Sequence, residues 1–279
     1  TARESAHHLV AGFDGRARAF VQIQQGCDHR CTFCIIPFAR GPNRSIPTER
    51  IIDQVQRLVT NGMREVVLTG VDITDYGLDL ADRPSLGRMV RALLREVPDL
   101  PRLRLTSLDA AEVDDELLSV FADEPRLMPH IHVSAQSGDD TILKRMKRRH
   151  TRSQVIALCA QLRRARADIQ FGADLIAGFP TETDAMFDDT ERLVAEAGLA
   201  YLHVFPYSPR TGTEAATLSD RVPGPLIRDR ARGLRDIGTE LSRRFREAHV
   251  GAVRPGLTLE GGTVVVTDNY LKVVVPPGC

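Results

Sequence analysis

Three cysteines lie close together in the segment GCDHRCTFC, residues 26–34. Cys27, Cys31 and Cys34 have the spacing C-x3-C-x2-C. A disulfide would leave one of these thiols over, and a catalytic cysteine needs one thiol and a base rather than three thiols. The spacing therefore indicates a metal centre.

Two kinds of metal centre fit three neighbouring thiolates. A structural zinc site takes four ligands, and His29 or Cys159 could supply the fourth. Cys159, however, lies in a predicted helix with apolar neighbours, which is more typical of a core residue. A [4Fe–4S] cluster held by three thiolates leaves its fourth iron open to a further ligand. This second interpretation explains why no fourth cysteine is near, and we favour it.

The composition of the chain bears on its partners and on its location in the cell. The chain has 279 residues, and its 37 Lys and Arg balance 37 Asp and Glu, so a nucleic-acid site would depend on local patches rather than on net charge. The 5 cysteines are an odd number, which favours a reducing compartment. No apolar run approaches the roughly 20 residues of a membrane span, and the first residues lack the order of a signal peptide. We therefore expect a cytoplasmic protein without a membrane partner.

Short β-branched runs alternate with longer segments of helical periodicity between residue 18 and about residue 248. In the first helical segment Ile51, Val55 and Leu58 recur at the spacing of a buried stripe. This alternation predicts parallel strands joined by right-handed helical crossovers. Strands are predicted over residues 19–24, 65–70, 102–107, 130–136, 169–178 and 201–208, and helices over residues 48–61, 85–96, 114–122, 153–166, 184–197 and 223–248.

Six such units form either a doubly wound sheet or an incomplete barrel. No G-x-G-x-x-G follows the first strand, which argues against a dinucleotide-binding fold. We therefore predict an α/β fold with a partial (β/α)6, TIM-like barrel over residues 18–248. Residues 1–17 are expected to form an N-terminal remnant or linker. After Pro255 the pattern LTLEGGTVVVTDNYLKVVV predicts two or three antiparallel strands within a short C-terminal β segment, residues 249–279.

Polar segments follow all six predicted strands. They read GCDHRC, TGVD, TSLD, AQSGDD, AGFPTE and PYSPRTG in chain order. Parallel α/β folds place their active sites at the carboxyl ends of the strands. We therefore expect all six segments to face one site, which indicates an enzyme with a large ligand at this end of the barrel.

The cysteine spacing at the start of six βα units resembles that of the radical S-adenosylmethionine (SAM) superfamily. Phe33, between the last two cysteines, matches the C-x-[FY]-C pattern of that superfamily. The resemblance implies a [4Fe–4S] cluster bound by Cys27, Cys31 and Cys34, whose open iron chelates SAM. It also implies that an electron, delivered by a donor such as flavodoxin, cleaves SAM into methionine and a 5′-deoxyadenosyl radical.

Longer segments resemble the methylthiotransferases of that superfamily. They are GCDHRCTFCIIPFARGPNRSIP, EVVLTGVDITDYG, HVSAQSGDDTILKRMKRRH, DLIAGFPTET and HVFPYSPRTGT. The stretch RGPNRS, residues 40–45, is most similar to the branch that adds a methylthio group at C2 of N6-threonylcarbamoyladenosine-37 in tRNA. The branches acting on isopentenyladenosine-37 of tRNA or on a ribosomal protein are alternatives. A zinc-stabilised RNA-binding protein without catalysis is the alternative from another class.

The same resemblance implies contacts with SAM at the strand ends. The residues that it assigns to cofactor binding are Phe33, Thr69, Gly70, Ser107, Gln136, Arg148, Asp174 and Phe205. Arg148 would pair with the carboxylate of SAM, and Asp174 would contact its ribose. The basic run KRMKRRH, residues 144–150, is either a solvated helix face or a contact for RNA phosphates, as are Arg40 and Arg44.

Complete methylthiotransferases contain more than this barrel. They have an N-terminal domain whose three further cysteines hold a second [4Fe–4S] cluster tied to sulfur delivery, and a small TRAM-like β-domain that binds RNA. In this chain 26 residues precede Cys27 and none of them is a cysteine. We therefore expect the second cluster only in a longer protein, and the C-terminal segment to be part of a TRAM-like domain. The chain itself is expected to bind SAM, with tRNA as the substrate.

Overall fold

The computed structural model describes residues 17–259 and 262–276, so the expected N-terminal linker lies outside the described residues except for its last position. The strands are β1 (Arg18–Gln22), β2 (Gln24–Gln25), β3 (Arg44–Ser45), β4 (Glu65–Thr69), β5 (Arg102–Leu105), β6 (Ser107–Leu108), β7 (His130–Gln136), β8 (Gln170–Ala177), β9 (Tyr201–Pro206), β10 (Gly256–Leu259), β11 (Val264–Thr267) and β12 (Lys272–Val274). The α-helices are α1 (Ile36–Arg40), α2 (Thr48–Thr60), α3 (Leu86–Glu96), α4 (Asp115–Asp123), α5 (Asp140–Arg145), α6 (Arg152–Ala165), α7 (Asp184–Glu196) and α8 (Gly224–Glu247).

The barrel strands form one parallel array in sequence order. Strands β1, β4 and β5 pair in this order, and β6, β7, β8 and β9 pair in a second sheet. Strands β5 and β6 are parts of one strand that is interrupted at Thr106, which joins the two sheets. Within the described residues β1 and β9 are the edges of the array. This is a partial (β/α)6 barrel, which confirms the predicted fold.

The outer helices bury the stripes that their sequences predict. Helix α2 turns Ile51, Val55 and Leu58 toward the strands, and all three are buried. Side-chain oxygens set the helix starts: the Ser85 hydroxyl accepts a hydrogen bond from the backbone N–H of Arg88, and Thr151 opens α6 with a capping box. Because these signals are local, each of the six predicted helices agrees with the structure to within one residue at both ends.

The amino-terminal end of the barrel encloses charged side chains. Glu65 opens β4 and is fully buried. Its carboxylate lies 2.5 Å from Arg18 Nε, 2.8 Å from Arg102 Nε and 2.9 Å from Arg104 Nε. Burial alone would raise the pKa of Glu65, but the three guanidinium groups outweigh it and hold that pKa below its ordinary value. A buried four-membered ion cluster therefore fills this end of the barrel.

The C-terminal segment packs against the same end. Strands β10, β11 and β12 form an antiparallel sheet, which confirms the predicted strand type. Arg104 donates hydrogen bonds to the carbonyl oxygens of Thr267 and Asp268, at 2.6 and 2.9 Å. Arg102 donates to the carbonyl of Val266 at 3.2 Å. The arginines that surround Glu65 thus also hold this sheet.

Across the described residues, no helix has both the length and the apolar character that a membrane span needs.

Candidate active site at the carboxyl ends of the strands

A cleft with a volume of about 280 Å³ opens at the carboxyl ends of the strands. Its lining consists of Cys27, His29, Cys31, Phe33, Cys34, Ile36, Gly70, Val71, Asp72, Thr106, Ser107, Asp109, Ser134, Gln136, Arg148 and Asp174. The structure therefore brings the three clustered cysteines together with six of the eight residues predicted to bind a cofactor. These residues come from β6, β7 and β8 and from the segments after β2, β4, β5, β6 and α5.

Two predicted cofactor contacts do not line this cleft. Thr69 ends β4, and its carbonyl oxygen accepts a hydrogen bond from the Ile23 N–H at 2.9 Å. Phe205 lies on β9 with 52% of its surface exposed. In the part of the chain that the structure describes, the segments after β8 and β9 contribute nothing to the lining. Of the six strand-end segments expected to face one site, the first four line this cavity.

The cysteine loop leaves the barrel through a tight turn. Cys27 lies two residues beyond β2 rather than at the end of a strand, because Gly26 has φ 75° and redirects the chain. The Cys27 N–H donates to the carbonyl of Gly41 at 3.1 Å, and the Cys34 N–H donates to the carbonyl of Cys31 at 3.0 Å. All three thiols are half-buried and line the cleft.

Gln24 joins the cysteine loop to the segment after β4. Its side chain is fully buried, and its amide nitrogen donates to the Gly26 carbonyl at 2.7 Å and to Asn43 Oδ1 at 2.6 Å. Its amide oxygen accepts from the backbone N–H groups of Val71 and Asp72, both at 2.9 Å. This one amide therefore sets the relative position of two walls of the cleft. Sequence reasoning missed it.

Replacing Gly26 with Ala should distort the cysteine loop. A Cβ at this position would lie 1.9 Å from the carbonyl oxygen of Pro42, in addition to the strain of its positive φ. Gly62 is a matched control, because it has φ 90° but no atom within 4 Å of an added Cβ. We expect Gly62→Ala to cost about 1 kcal/mol, and Gly26→Ala to cost more and to lower the iron content of the reconstituted protein. Equal unfolding free energies and equal iron contents for the two variants would contradict this assignment.

The donor set fits a cluster better than a single zinc ion. Tetrahedral zinc binds sulfur at about 2.3 Å, which brings its sulfur ligands to about 4 Å from one another. Among the described residues, one group of three ligand atoms that lie within 4.8 Å of one another contains Cys27, and no such group contains Cys31 or Cys34. Thiols spread in this way can each bind a separate iron of a four-iron cluster. Burial also raises the pKa of Cys27 to about 12, so that binding a metal would displace its proton.

The two residues considered as a fourth zinc ligand are both engaged elsewhere. His29 Nε2 lies 2.9 Å from Asp72 Oδ2 and 3.1 Å from Asp75 Oδ2. These hydrogen bonds raise the pKa of His29 to about 9, which makes the imidazole a cation without a free lone pair at neutral pH. Cys159 is fully buried in α6, within the apolar core, and burial raises its pKa to about 11. This confirms that Cys159 is a core residue.

Arg148 is held beside the thiols by a buried carboxylate. Its Nη2 lies 2.6 Å from Asp109 Oδ2 and 2.9 Å from the Ser134 carbonyl oxygen, while Nη1 lies 3.5 Å from Cys31 Sγ. His150 Nδ1 lies 3.0 Å from the other oxygen of Asp109. The run KRMKRRH is therefore not a uniform solvated helix face: α5 ends at Arg145, and the chain then turns Arg148 and His150 into the protein.

This contact predicts an acid-dependent stability. Burial would raise the pKa of Asp109, but His150 and Arg148 outweigh it and lower the pKa from 3.8 to about 2. The stabilisation is then complete above pH 3.8 and is lost as the pH falls toward 2. Between these two pH values, the unfolding free energy of the cluster-free wild-type protein should fall by about 2 kcal/mol more than that of Asp109→Asn.

The measurement is urea unfolding at several pH values from 2 to 5, compared between wild type and Asp109→Asn. Asp53→Asn is the matched control, since the Asp53 side chain is 52% exposed and pairs with Arg57 on the helix surface. It should follow the wild-type pH profile. An Asp109→Asn profile parallel to wild type would contradict the prediction.

Comparisons with known proteins identify the family and several relatives. A family model described as the Radical SAM superfamily matches residues 21–194. The threonylcarbamoyladenosine tRNA methylthiotransferase MtaB of Rickettsia prowazekii is 52% identical over 271 residues, which are 97% of this chain and 64% of that protein. The protein of the same name from Bacillus subtilis is 36% identical over 95% of this chain and 60% of its own length. The chain thus spans less than two thirds of the length of either relative.

Solved structures share the fold at low sequence identity. Coproporphyrinogen III oxidase (HemN) from Escherichia coli, a radical SAM enzyme, has a TM-score of 0.58 at 18% identity, covering 82% of this chain and 54% of that chain. The radical SAM methyltransferase TsrM from Kitasatospora setae, bound to tryptophan and a SAM analogue, has a TM-score of 0.56 at 19% identity, covering 72% of this chain and 38% of that chain. These likenesses support the partial barrel alone.

Proposed function

The chain belongs to the radical SAM superfamily, and from this premise we propose that it is the SAM-cleaving core of a tRNA methylthiotransferase. The observation that carries the proposal is the convergence of three half-buried thiols on a cleft at the carboxyl ends of parallel strands, where no fourth cysteine of the described residues joins them. Cys27, Cys31 and Cys34 would bind a [4Fe–4S] cluster. When bound, this cluster supplies one electron to the sulfonium of SAM, which leaves a carbon-centred radical able to abstract hydrogen.

The residues of the cleft would bind and orient SAM. Arg148 is suited to its carboxylate, because the guanidinium Nε is buried and has no hydrogen-bond partner among the described residues, although both Nη atoms are engaged. Ser107 and Gln136 would hydrogen-bond the amino acid or ribose part, and Asp174 would accept a hydrogen bond from the ribose. Ser107, Gln136 and Asp174 line the cleft from β6, β7 and β8, and Arg148 lines it from the segment after α5.

Two apolar or small residues would shape this pocket. A Cβ at Gly70 would lie 2.8 Å from the Gln24 carbonyl oxygen, so the packing of the loop already requires glycine here. The absence of a side chain also leaves the backbone at the end of β4 open to the amino group of SAM. Phe33 packs against a small apolar cluster that includes Ile142, Ile176 and Phe179, and would close one side of the cofactor site.

The substrate assignment rests on the similarity to the MtaB proteins. We propose N6-threonylcarbamoyladenosine of tRNA as the base that receives the methylthio group, because a protein named for this activity is 52% identical over 97% of the chain. Beside the cysteine loop, Arg40 is exposed and Phe38 is 71% exposed. Arg40 would bind an RNA phosphate, and Phe38 would stack on an unpaired base. Arg44 instead donates to the Arg40 carbonyl at 3.0 Å and supports the loop.

The domain organisation follows from the same proposal. Residues 18–248 would be the radical SAM core, and residues 249–279 would belong to a TRAM-like domain that contacts tRNA. A second [4Fe–4S] cluster for sulfur delivery would be held by a part of the longer protein that this chain does not include. A small electron carrier of the flavodoxin type would reduce the cluster.

Anaerobic reconstitution tests the proposal. The chain should bind about four irons and four sulfides, and reduction in the presence of SAM should release 5′-deoxyadenosine and methionine. A protein that binds one zinc ion and releases no 5′-deoxyadenosine would overturn the assignment. For the substrate, deletion of the gene should remove the methylthio form of threonylcarbamoyladenosine from hydrolysed tRNA, and mass spectrometry would show whether a different methylthiolated product is lost instead.

A further inference from the structure

Three adjacent strands place two imidazoles and a carboxylate around one point inside the barrel. His132 lies on β7, Asp174 on β8 and His203 on β9. Asp174 Oδ1 is 2.8 Å from His132 Nε2 and 3.3 Å from His203 Nδ1. One ligand atom from each of the three residues lies within 4.8 Å of the other two. None of these residues belongs to the cysteine loop.

His132 has a buried nitrogen that the protein leaves without a hydrogen bond. The residue is 6% exposed, and its Nδ1 lies 3.1 Å from the hydroxyl of Tyr201. Its Nε2 is buried and, within the described residues, makes no hydrogen bond, although Asp174 Oδ1 is close by. If Nδ1–H donates to the Tyr201 hydroxyl, the Nε2 lone pair faces a carboxylate oxygen. That arrangement is repulsive unless a proton or a metal cation lies between the two atoms.

The surrounding residues resemble the outer shell of a metal site. Imidazole ligands usually engage their second ring nitrogen in a hydrogen bond that fixes the tautomer. Here the Tyr201 hydroxyl contacts His132 Nδ1 and also lies 2.7 Å from His130 Nε2, so it can accept from the first ring and donate to the second.

We propose that His132, Asp174 and His203 bind a divalent transition-metal ion, at a site separate from the iron–sulfur centre. Two imidazoles and one carboxylate suit Zn²⁺ or Fe²⁺ and leave coordination positions open. Asp174 lines the SAM cleft, whereas His203 lines a second cavity of about 310 Å³, so the ion would lie between the two cavities. The proposal goes beyond the function above, because it adds a metal to the barrel interior and leaves the second oxygen of Asp174 for the ribose.

Elemental analysis of the reconstituted wild-type chain, dialysed against Zn²⁺, tests this site. We expect one zinc in addition to the cluster iron, and His203→Ala should retain the iron while losing the zinc. His203 suits this test because its side chain is 58% exposed, and the retained iron reports that the variant is folded. Its zinc affinity should fall by more than the roughly 10–100-fold that the loss of an outer-shell partner costs.

Two further variants separate this site from its rivals. His29→Asn removes a histidine that lies in another group of possible ligands, and His249→Ala removes a histidine whose ring contacts Phe245 and Asn269. Both should keep the zinc. Absence of zinc from wild type, zinc retained in His203→Ala, or zinc lost only in His29→Asn would each overturn the proposal. Because iron and zinc are measured separately, failure of this site is distinguishable from failure of the cluster assignment.

Discussion

Replacing any one of Cys27, Cys31 and Cys34 with Ser should abolish both iron binding and the release of 5′-deoxyadenosine from SAM. With one ligand removed, two thiolates remain to hold a four-iron cluster, and the cofactor loses the fixed position beside the cleft. The variants should fold, because the three thiols are only half-buried and lie in a loop outside the apolar core. Iron content, the visible absorption of the cluster and 5′-deoxyadenosine formation are the measurements.

Cys159→Ala is the control for this prediction. The thiol is fully buried in α6 among apolar side chains and away from the cleft. Its loss should leave a small cavity that costs about 1 kcal/mol and should not change the iron content. If Cys159→Ala lost its iron, or if one of the three loop variants retained a full cluster and its SAM cleavage, the ligand assignment would be wrong.

The fold could be predicted because its signals are local. The stripe of Ile51, Val55 and Leu58 requires only the helical repeat, and a helix start such as Ser85 requires only a neighbouring backbone N–H. Parallel pairing then follows from the alternation of strands and helices. The strand interruption at Thr106 could not be predicted in this way, because it depends on how the two sheets meet.

The site was harder to predict, because its side chains contact residues that are far away in the sequence. Arg148 was placed in the cleft correctly, but its partner Asp109 is 39 residues away and no periodicity relates the two. Three hydrogen bonds of the Gln24 side chain reach Asn43 and the segment after β4, which sequence spacing does not encode. The position of a residue near the end of a strand also does not specify which way its side chain points, which is why Phe205, the last residue but one of β9, does not line the cleft.

One missed feature did leave a signal in the sequence. In HIHVSAQ, residues 130–136, histidines alternate with apolar residues, so His130 and His132 share one face of β7. Because a parallel barrel strand is covered on both faces, two histidines on one face must find polar partners inside the barrel. Arg102 and Arg104 alternate in the same way on β5 and meet Glu65. Polar alternation in a strand that is expected to be buried therefore predicts an internal polar network.

Replacing Glu65 with Ala should be among the most destabilising single changes in the barrel. The carboxylate is fully buried and contacts three guanidinium groups, and its removal would leave Arg18, Arg102 and Arg104 without a counter-charge. Breaking a buried ion pair from one side costs about 3–5 kcal/mol. The loss should also loosen the C-terminal sheet, because Arg102 and Arg104 hold the carbonyl groups of β11 and of Asp268. Urea unfolding of the cluster-free protein measures the change.

Glu116→Ala provides the comparison, since Glu116 pairs with Arg91 on the surface and its side chain is 43% exposed. Its loss should change the unfolding free energy by less than about 1 kcal/mol. Glu65 and the thiols lie at opposite ends of the strands, so the folded fraction of Glu65→Ala should bind as much iron as wild type. A loss no larger than that of Glu116→Ala would show that the three arginines do not depend on this carboxylate. A folded variant without iron would show instead that the charged end of the barrel controls the cysteine loop.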